Sequence, residues 1–303
     1  MRAQFLTGLA DLAERDPRVV LITADLGFGA IEVFADRHPK RFFNLGVTEQ
    51  AIVGVATGLA EGGLVPYCYS IAAFSVARTF EFLRNGPIAH GLPVRVVGVG
   101  PGLDYSFDGL THYAIEDLAL VGSQPQTIIV APVDGQRANE FGSTGSDHRG
   151  LVYYRLARNV PDCSLPLAGA VDLEAEALVV GLGDCSRIVE GLETDLRAQG
   201  VSTRAVMVQV LDRDSIAGIA RRIVDGGSPV LVTVESHYVR GGFGTALADE
   251  LMAQRWTGVL VKWGVESLPV GTLGGQEFVE SKYCTSPTAV VKEVCAALAR
   301  VPT

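Results

Sequence analysis

The chain has 303 residues, 48% of them hydrophobic and 19% charged, with 35 glycines and a formal charge of −9. An acidic chain without a basic cluster offers no electrostatic handle for nucleic acid or an anionic membrane, and no uncharged run approaches the roughly 18 to 20 residues that span a bilayer. Length and composition suit a compact α/β protein of two domains and exclude the fibrous and disordered classes.

The N-terminal stretch MRAQFLTGLADLAERDP carries apolar residues at helical spacing. It predicts an amphipathic first helix rather than a signal peptide, which would need a continuous apolar core and a cleavage site. Short apolar runs follow at 19–22, 64–67, 94–99, 127–130 and 151–154, separated by segments long enough for crossover helices, the appearance of buried parallel strands. Within this series, residues 51–60 read AIVGVATGLA, with apolar or small groups on every face, so a helix there presents no side to water. Glu49 at the head of that helix is therefore a charge near a dry interior. Such a carboxylate must find a partner, neutralise or be kept for a task; the plainer alternative is a first-turn acid stabilised by the helix dipole.

Residues 159–166, NVPDCSLP, carry two prolines and no periodicity and predict a linker. A second α/β series follows, with strands expected at 177–180, 205–208, 230–234 and 259–261. The expected architecture is α/β with two domains, each a mainly parallel sheet flanked by helices, at residues 1–160 and 171–303 with a linker at 161–170. The five cysteines, Cys68, Cys163, Cys185, Cys284 and Cys295, are scattered and form no CxxC pair. They read as reduced thiols of a cytoplasmic protein.

Four fragments carry a resemblance: Thr23-Ala24-Asp25-Leu26, Gly46-Val47-Thr48-Glu49-Gln50, Ser70-Ile71-Ala72-Ala73-Phe74, and Asp108-Gly109-Leu110-Thr111-His112-Tyr113. In that order they resemble the pyrimidine-binding part of transketolases and related thiamine-diphosphate enzymes, and the likeness continues to the C-terminus. It implies thiamine diphosphate as cofactor. The acid matching Glu49 hydrogen-bonds the aminopyrimidine ring, the contact that readies the thiazolium carbon for deprotonation, and Phe74 matches an aromatic packed against that ring. Ile71 and Ala77 stand where further aromatics are usual, implying a roomier pocket, and Asp25 belongs to the cofactor side through its landmark. Asp108 matches an acid that holds a sugar hydroxyl. His112 matches a histidine near the reactive carbon, which binds substrate or shuttles a proton. Arg158 matches an arginine on the sugar phosphate, a task suited to its planar donors. Two family side chains that contact phosphate fall near Gly29 and Gly100, a departure that opens the site to an unphosphorylated or carboxylated acceptor.

The stretch Glu235-Ser236-His237 followed by Gly241-Gly242-Phe243-Gly244 resembles a strand-to-helix turn of the family's C-terminal domain, without the lysine-serine sequel of a nucleotide loop. Gly181-Leu182-Gly183-Asp184-Cys185 is likewise a turn. The resemblance covers only the later part of a full-length transketolase, and the chain lacks the GDG triplet and following Asn that hold Mg²⁺ and the diphosphate. Since Met1 leads directly into the pyrimidine-domain helix, a natural split is expected, completed by a separately encoded diphosphate-binding subunit in a heterotetramer of two copies of each. This chain is expected to supply no metal ligand. The reading is the later subunit of a two-component transketolase that passes a two-carbon ketol unit from a ketose-type donor to an aldehyde acceptor. One alternative is the beta subunit of a 2-oxoacid dehydrogenase or decarboxylase, against which the DG-x-TH loop speaks. Another is a catalytically silent partner, against which Glu49, Asp108 and His112 speak.

Overall fold

The computed structural model describes residues 1–158 and 160–300; Asn159, at the head of the expected linker, and 301–303, at the end of the expected second domain, lie outside the described residues. The first half runs α1 (Arg2–Arg15), β1 (Val19–Thr23), α2 (Glu32–Arg37), β2 (Phe42–Asn44), α3 (Glu49–Glu61), β3 (Val65–Ile71), α4 (Phe80–Leu83), β4 (Arg95–Val99), α5 (Asp117–Gly122), β5 (Ile128–Val130), α6 (Gly135–Gly142) and β6 (Val152–Leu156). The second runs β7 (Ala177–Leu182), α7 (Ser186–Ala198), β8 (Thr203–Val208), β9 (Val210–Leu211), α8 (Arg213–Gly226), β10 (Val230–Tyr238), α9 (Phe243–Ala253), β11 (Val259–Val265), α10 (Gln276–Tyr283) and α11 (Pro287–Leu298).

A seven-stranded sheet has the order β2-β1-β3-β4-β6-β5-β9, and a four-stranded sheet the order β11-β10-β7-β8. Every pairing is parallel except β5 with β9. Strands β1, β4, β6 and β7 are buried at every position, because helices cover both faces, and this is why they read as continuous apolar runs rather than alternating ones. All nine expected strands form, whereas β2 and β9 are too short to leave a pattern. Strand β9 follows β8 in sequence yet pairs with the first sheet, Ile129 opposite Leu211 and Val130 opposite Val210. The expected linker is not free chain either: Met207 N–H donates to Pro166 O at 2.9 Å, and Ala168 N–H donates back to Met207 O at 2.9 Å.

Helices α1 and α6 cross at glycine. A Cβ on Gly8 would meet the backbone of Asn139, and one on Gly142 the backbone of Phe5, so the absent side chains permit the approach. Helix α3 differs from expectation. Ile52, Val53, Ala56 and Ala60 are buried, but Ala51, Gly54, Val55 and Gly58 are exposed. One helix on one side of a sheet has a single face covered by its own chain, and the apolar sequence of the opposite face is left without cover here. Among the described residues, no helix is long and apolar enough to cross a membrane, and the five cysteines are free thiols.

The seam between the halves holds a buried charge. Arg155 on β6 is 2% exposed, donates from Nε to Asp117 Oδ2 at 2.8 Å and from Nη2 to the Ser236 carbonyl at 2.6 Å, and pairs through Nη1 with Asp184 Oδ1 at 3.2 Å. Tyr153 donates its hydroxyl to the same Asp117 Oδ2 at 2.7 Å. Burial alone would lower the Arg155 pKa, but Asp117 and Asp184 outweigh it and hold the guanidinium firmly charged. Removing one partner of a buried pair leaves the other uncompensated. Arg155→Ala should therefore lower the unfolding free energy by about 3–5 kcal/mol, measured by urea denaturation, whereas a neutral result would mean that water reaches this seam.

Candidate active site

The expected site residues gather at the carboxyl ends of β1, β3, β4 and β6, the side of an open parallel sheet on which ligands collect. Glu49 opens α3 and is 4% exposed. Its Oε2 accepts from Arg78 Nη1 at 2.7 Å, while Oε1 is buried without a hydrogen-bond partner. Ser70 Oγ nearby is likewise unpartnered. A void of only about 10 Å³, bordered by Glu49, Ser70 and Thr79, lies on the inner side, too small for a ring. The approach to the carboxylate is through Oε2, on the side that Arg78 covers.

Beyond β3 the backbone enters a wide π-type turn at Ala73–Ala77, a local distortion often found where function needs side chains aimed differently from a regular helix. Phe74 and Arg78 meet across it, the guanidinium carbon 4.2 Å from the ring centroid. His112 stands edge-on to Phe74, centroids 5.0 Å apart at 62°. It sits in a 3₁₀ turn, Leu110–His112, that follows Gly109 at φ 79°, and its Nδ1 lies 2.9 Å from Thr111 Oγ1. Tyr105 lies 5.7 Å from His112, and the Arg158 guanidinium covers Tyr105 at 4.5 Å. The Arg158 backbone N–H donates to Asp104 Oδ2 at 2.7 Å. Burial pushes the Asp104 carboxyl up to about 6.

Glu49, Phe74, His112 and Arg158 thus lie along one line of contacts, completed by Arg78 and Tyr105. Ile71 ends β3 beside it. Asp108 is exposed in the loop before His112, its backbone N–H donating to Tyr105 O at 2.9 Å. Asp25 holds a φ of 56°, rare outside glycine, and its hydrogen bonds run to Asn44: Nδ2 donates to Asp25 Oδ1 at 2.9 Å, and Asp25 N–H to Asn44 Oδ1 at 3.0 Å. That network is separate from the Glu49 line.

Sequence reasoning missed Arg78 and Tyr105. The first had a signal, since Phe74 and Arg78 are four residues apart, the spacing that brings side chains together on a helix. Tyr105 had none, because its place is set by Gly100. A Cβ at Gly100, where φ is 76°, would strike the Tyr105 ring, so the space left by the missing side chain is filled by an aromatic; at Gly29 nothing lies within 4 Å of the same point. His237 is fully buried, its Nδ1 2.9 Å from Tyr238 O and its Nε2 accepting from Ala119 N–H at 3.3 Å. Glu235 accepts from the Phe243 and Gly244 N–H groups at 2.6 and 2.9 Å, satisfying the start of α9. That turn holds structure together.

The family model for the transketolase pyrimidine-binding domain matches residues 1–161. A solved structure described as a split gene transketolase, inactive β4 tetramer, superposes with a TM-score of 0.83 at 30% identity and covers 98% of both chains. The 6-deoxy-6-sulfo-D-fructose transketolase subunit of a Clostridium species is 26% identical over 308 residues, 96% of this chain and 92% of that one. The 1-deoxy-D-xylulose-5-phosphate synthase 2 of Geobacter sulfurreducens is 32% identical over 277 residues, spanning 85% of this chain but 42% of its own length. A family match over more than half of the chain, joined to a likeness along the full length of a split relative, shows that this chain belongs to the transketolase family.

Proposed function

We propose that this chain is the later subunit of a split, thiamine-diphosphate-dependent transketolase that moves a two-carbon ketol unit from a ketose-type donor to an aldehyde acceptor. The observation that carries the reading is the buried Glu49 carboxylate joined to the Phe74 ring through Arg78, in a chain similar to a split-gene transketolase over 98% of both chains. The residues fit the aminopyrimidine half of the cofactor: a buried carboxylate whose reachable oxygen is held by a partly exposed arginine, an aromatic face, and an aliphatic neighbour at Ile71. When bound, thiamine diphosphate would supply a thiazolium carbon nucleophile and an electron sink for cleavage of a carbon–carbon bond. Glu49 holds and exchanges the proton at the pyrimidine ring nitrogen. Phe74 fixes the plane of the ring, with Ile71 and Asp25 on the cofactor side. His112, against Phe74, is placed to move a proton at the substrate oxygen. Asp108 and Arg158 orient the sugar, Arg158 as the anion contact of this subunit. The diphosphate and Mg²⁺ fall to a companion diphosphate-binding subunit, two copies of each chain forming the enzyme. The dispersed free thiols suit a cytoplasmic location.

The companion-subunit reading is tested by mixing. The purified chain should show no ketol transfer by itself and recover it when the companion is added; turnover by the isolated chain, shown free of partner, would refute the split.

Glu49→Gln keeps the shape of the side chain and removes its acid function. In the assembled enzyme the exchange of the thiazolium proton for deuterium, followed by NMR, should slow by about two orders of magnitude or more. An unchanged exchange rate would return Glu49 to a helix-terminus role.

Arg78 makes both contacts that an aminopyrimidine ring would make, one to the Phe74 face and one to Glu49 Oε2. It must swing aside for the ring to enter. A 40% exposed arginine gains at most about 1 kcal/mol from such a pair and about 0.5–1 kcal/mol from the ring. Arg78→Ala should therefore bind 4-amino-5-hydroxymethyl-2-methylpyrimidine about tenfold more tightly than the unsubstituted chain, read by calorimetry. Weaker binding would identify Arg78 as an orienting partner rather than a competitor.

A further inference from the structure

The loop that carries His112 is closed at its base but does not pack its own tip. Gly102 and Ala114 exchange both backbone hydrogen bonds, at 2.9 and 3.0 Å, and the Tyr238 N–H donates to Ile115 O at 3.1 Å, so the chain leaves and re-enters the fold at one point. Between those ends the loop turns on itself. The Asp108 and Gly109 N–H groups both donate to Tyr105 O, at 2.9 and 3.1 Å, and the His112 N–H donates to Gly109 O at 2.9 Å. The large apolar side chains of the tip face outward, Phe107 being 74% exposed and Leu110 45%. A loop tip that buries so few of its own apolar groups opens easily. A fixed imidazole at residue 112 therefore needs a hold from elsewhere in the molecule.

That hold comes from the second half of the chain, from the segment 266–275 between β11 and α10. Tyr113 donates its hydroxyl to Thr272 O at 3.3 Å, and the Gly274 N–H donates to Ser106 O at 3.3 Å. Leu273 fills the place beside Gly109, where a Cβ would stand 2.6 Å from Leu273 Cδ2. Ser106, Gly109 and Tyr113 are the buried positions of the tip, whereas Phe107, Asp108, Leu110 and Thr111 are exposed. Gly109 has φ 79° and ψ −159°, a conformation that glycine alone adopts without strain. The residue whose carbonyl takes the His112 N–H is thus the one that Leu273 presses against. The segment is anchored in turn: Thr272 Oγ1 lies 2.6 Å from the Tyr283 hydroxyl, and the Glu266 N–H donates to Tyr283 O at 2.8 Å. Below it Leu103, Tyr113 and Ile115 share one buried cluster with Val265 and Val279.

We propose that Leu273 is a positioning residue for His112: acting through Gly109, it holds the 3₁₀ turn in which the imidazole stands edge-on to Phe74. The second half of the chain reaches the proton-moving group by this route, from Tyr283 to Thr272, from Leu273 to Gly109, and from Gly109 O to the His112 N–H. The consequence for the reaction rests on the substrate-side role given to His112 above, since a group moves a proton only from within hydrogen-bond reach of it. The placement of the ring does not rest on that role.

Leu273 is 61% exposed, so its truncation leaves the core intact. The chain has five histidines, and in the full chain isotopically labelled at histidine the His112 Cε1–H line in the NMR spectrum is identified by its loss in His112→Gln. Leu273→Ala should move that line toward the position of a free imidazole, as the ring leaves the Phe74 and Tyr105 rings beside it, while the lines of His38, His90, His148 and His237 stay in place. Leu273→Met refills the space and should restore the line. Val270→Ala, at a residue 63% exposed in the same segment, should leave it unmoved. In the enzyme assembled with its companion, Leu273→Ala should lower kcat about tenfold or more and leave the KM for thiamine diphosphate unchanged. The NMR measurement needs neither cofactor nor companion, so an assembled parent without ketol transfer would refute the split-enzyme reading and leave the placement of His112 standing. A His112 line unmoved by Leu273→Ala, one moved equally by Val270→Ala, a movement of all five lines together, or an unchanged kcat beside a moved line would each overturn the proposal.

Discussion

A single guanidinium in the protein interior sets the terms for the molecule. Arg155 lies within a fully buried parallel strand, flanked by Tyr154 and Leu156, and it is tolerable only because Asp117, Asp184 and the Ser236 carbonyl arrive from three other segments to meet it. In a low-dielectric interior such a cluster is either complete or destabilising. Each partner lies on a different element: Asp117 begins α5, Asp184 follows β7, and Ser236 belongs to β10. Satisfying the charge therefore fixes the register of the second sheet against the first.

The Glu49 site follows a different logic. Its polar atoms are left incomplete rather than closed: one carboxylate oxygen and the Ser70 hydroxyl lack partners, and the other carboxylate oxygen is covered by Arg78, a partly exposed residue. Incomplete hydrogen bonding in a buried position is expensive to maintain. The π-type turn after β3 is the local irregularity that lets Phe74 and Arg78 share this space.

Much of this was legible in the sequence. Continuous apolar runs located all the long strands because strands covered on both faces carry no alternation to confuse with a helix, and Glu49, Phe74 and His112, singled out through a resemblance of motifs, lie along one line of contacts. What escaped had physical reasons. Strands β2 and β9 gain their hydrogen bonds from neighbours distant in sequence. Tyr105 occupies its position only because Gly100, on the facing backbone, has no side chain. The uncovered side of α3 was hidden because composition reports how apolar a helix is and not whether its own chain is large enough to surround it. Arg155 reads locally as a misplaced charge, and its partners become visible only once the two sheets are brought together.

The two-residue strand β9 changes how the molecule should be thought of as a pair of modules. By connectivity it belongs to the later half, yet it terminates the earlier half's sheet, and Gln209 extends the join by accepting the Ala131 N–H at 2.7 Å and the Val133 N–H through its side chain at 3.3 Å. A first half severed at the proline-rich segment would expose the outer edge of β5, a row of unpaired donors and acceptors of the kind that recruits other chains. The boundary that looks natural in the sequence is thus a poor place for recombination: a new catalytic half grafted onto this scaffold would need to bring its own edge strand, or inherit this one.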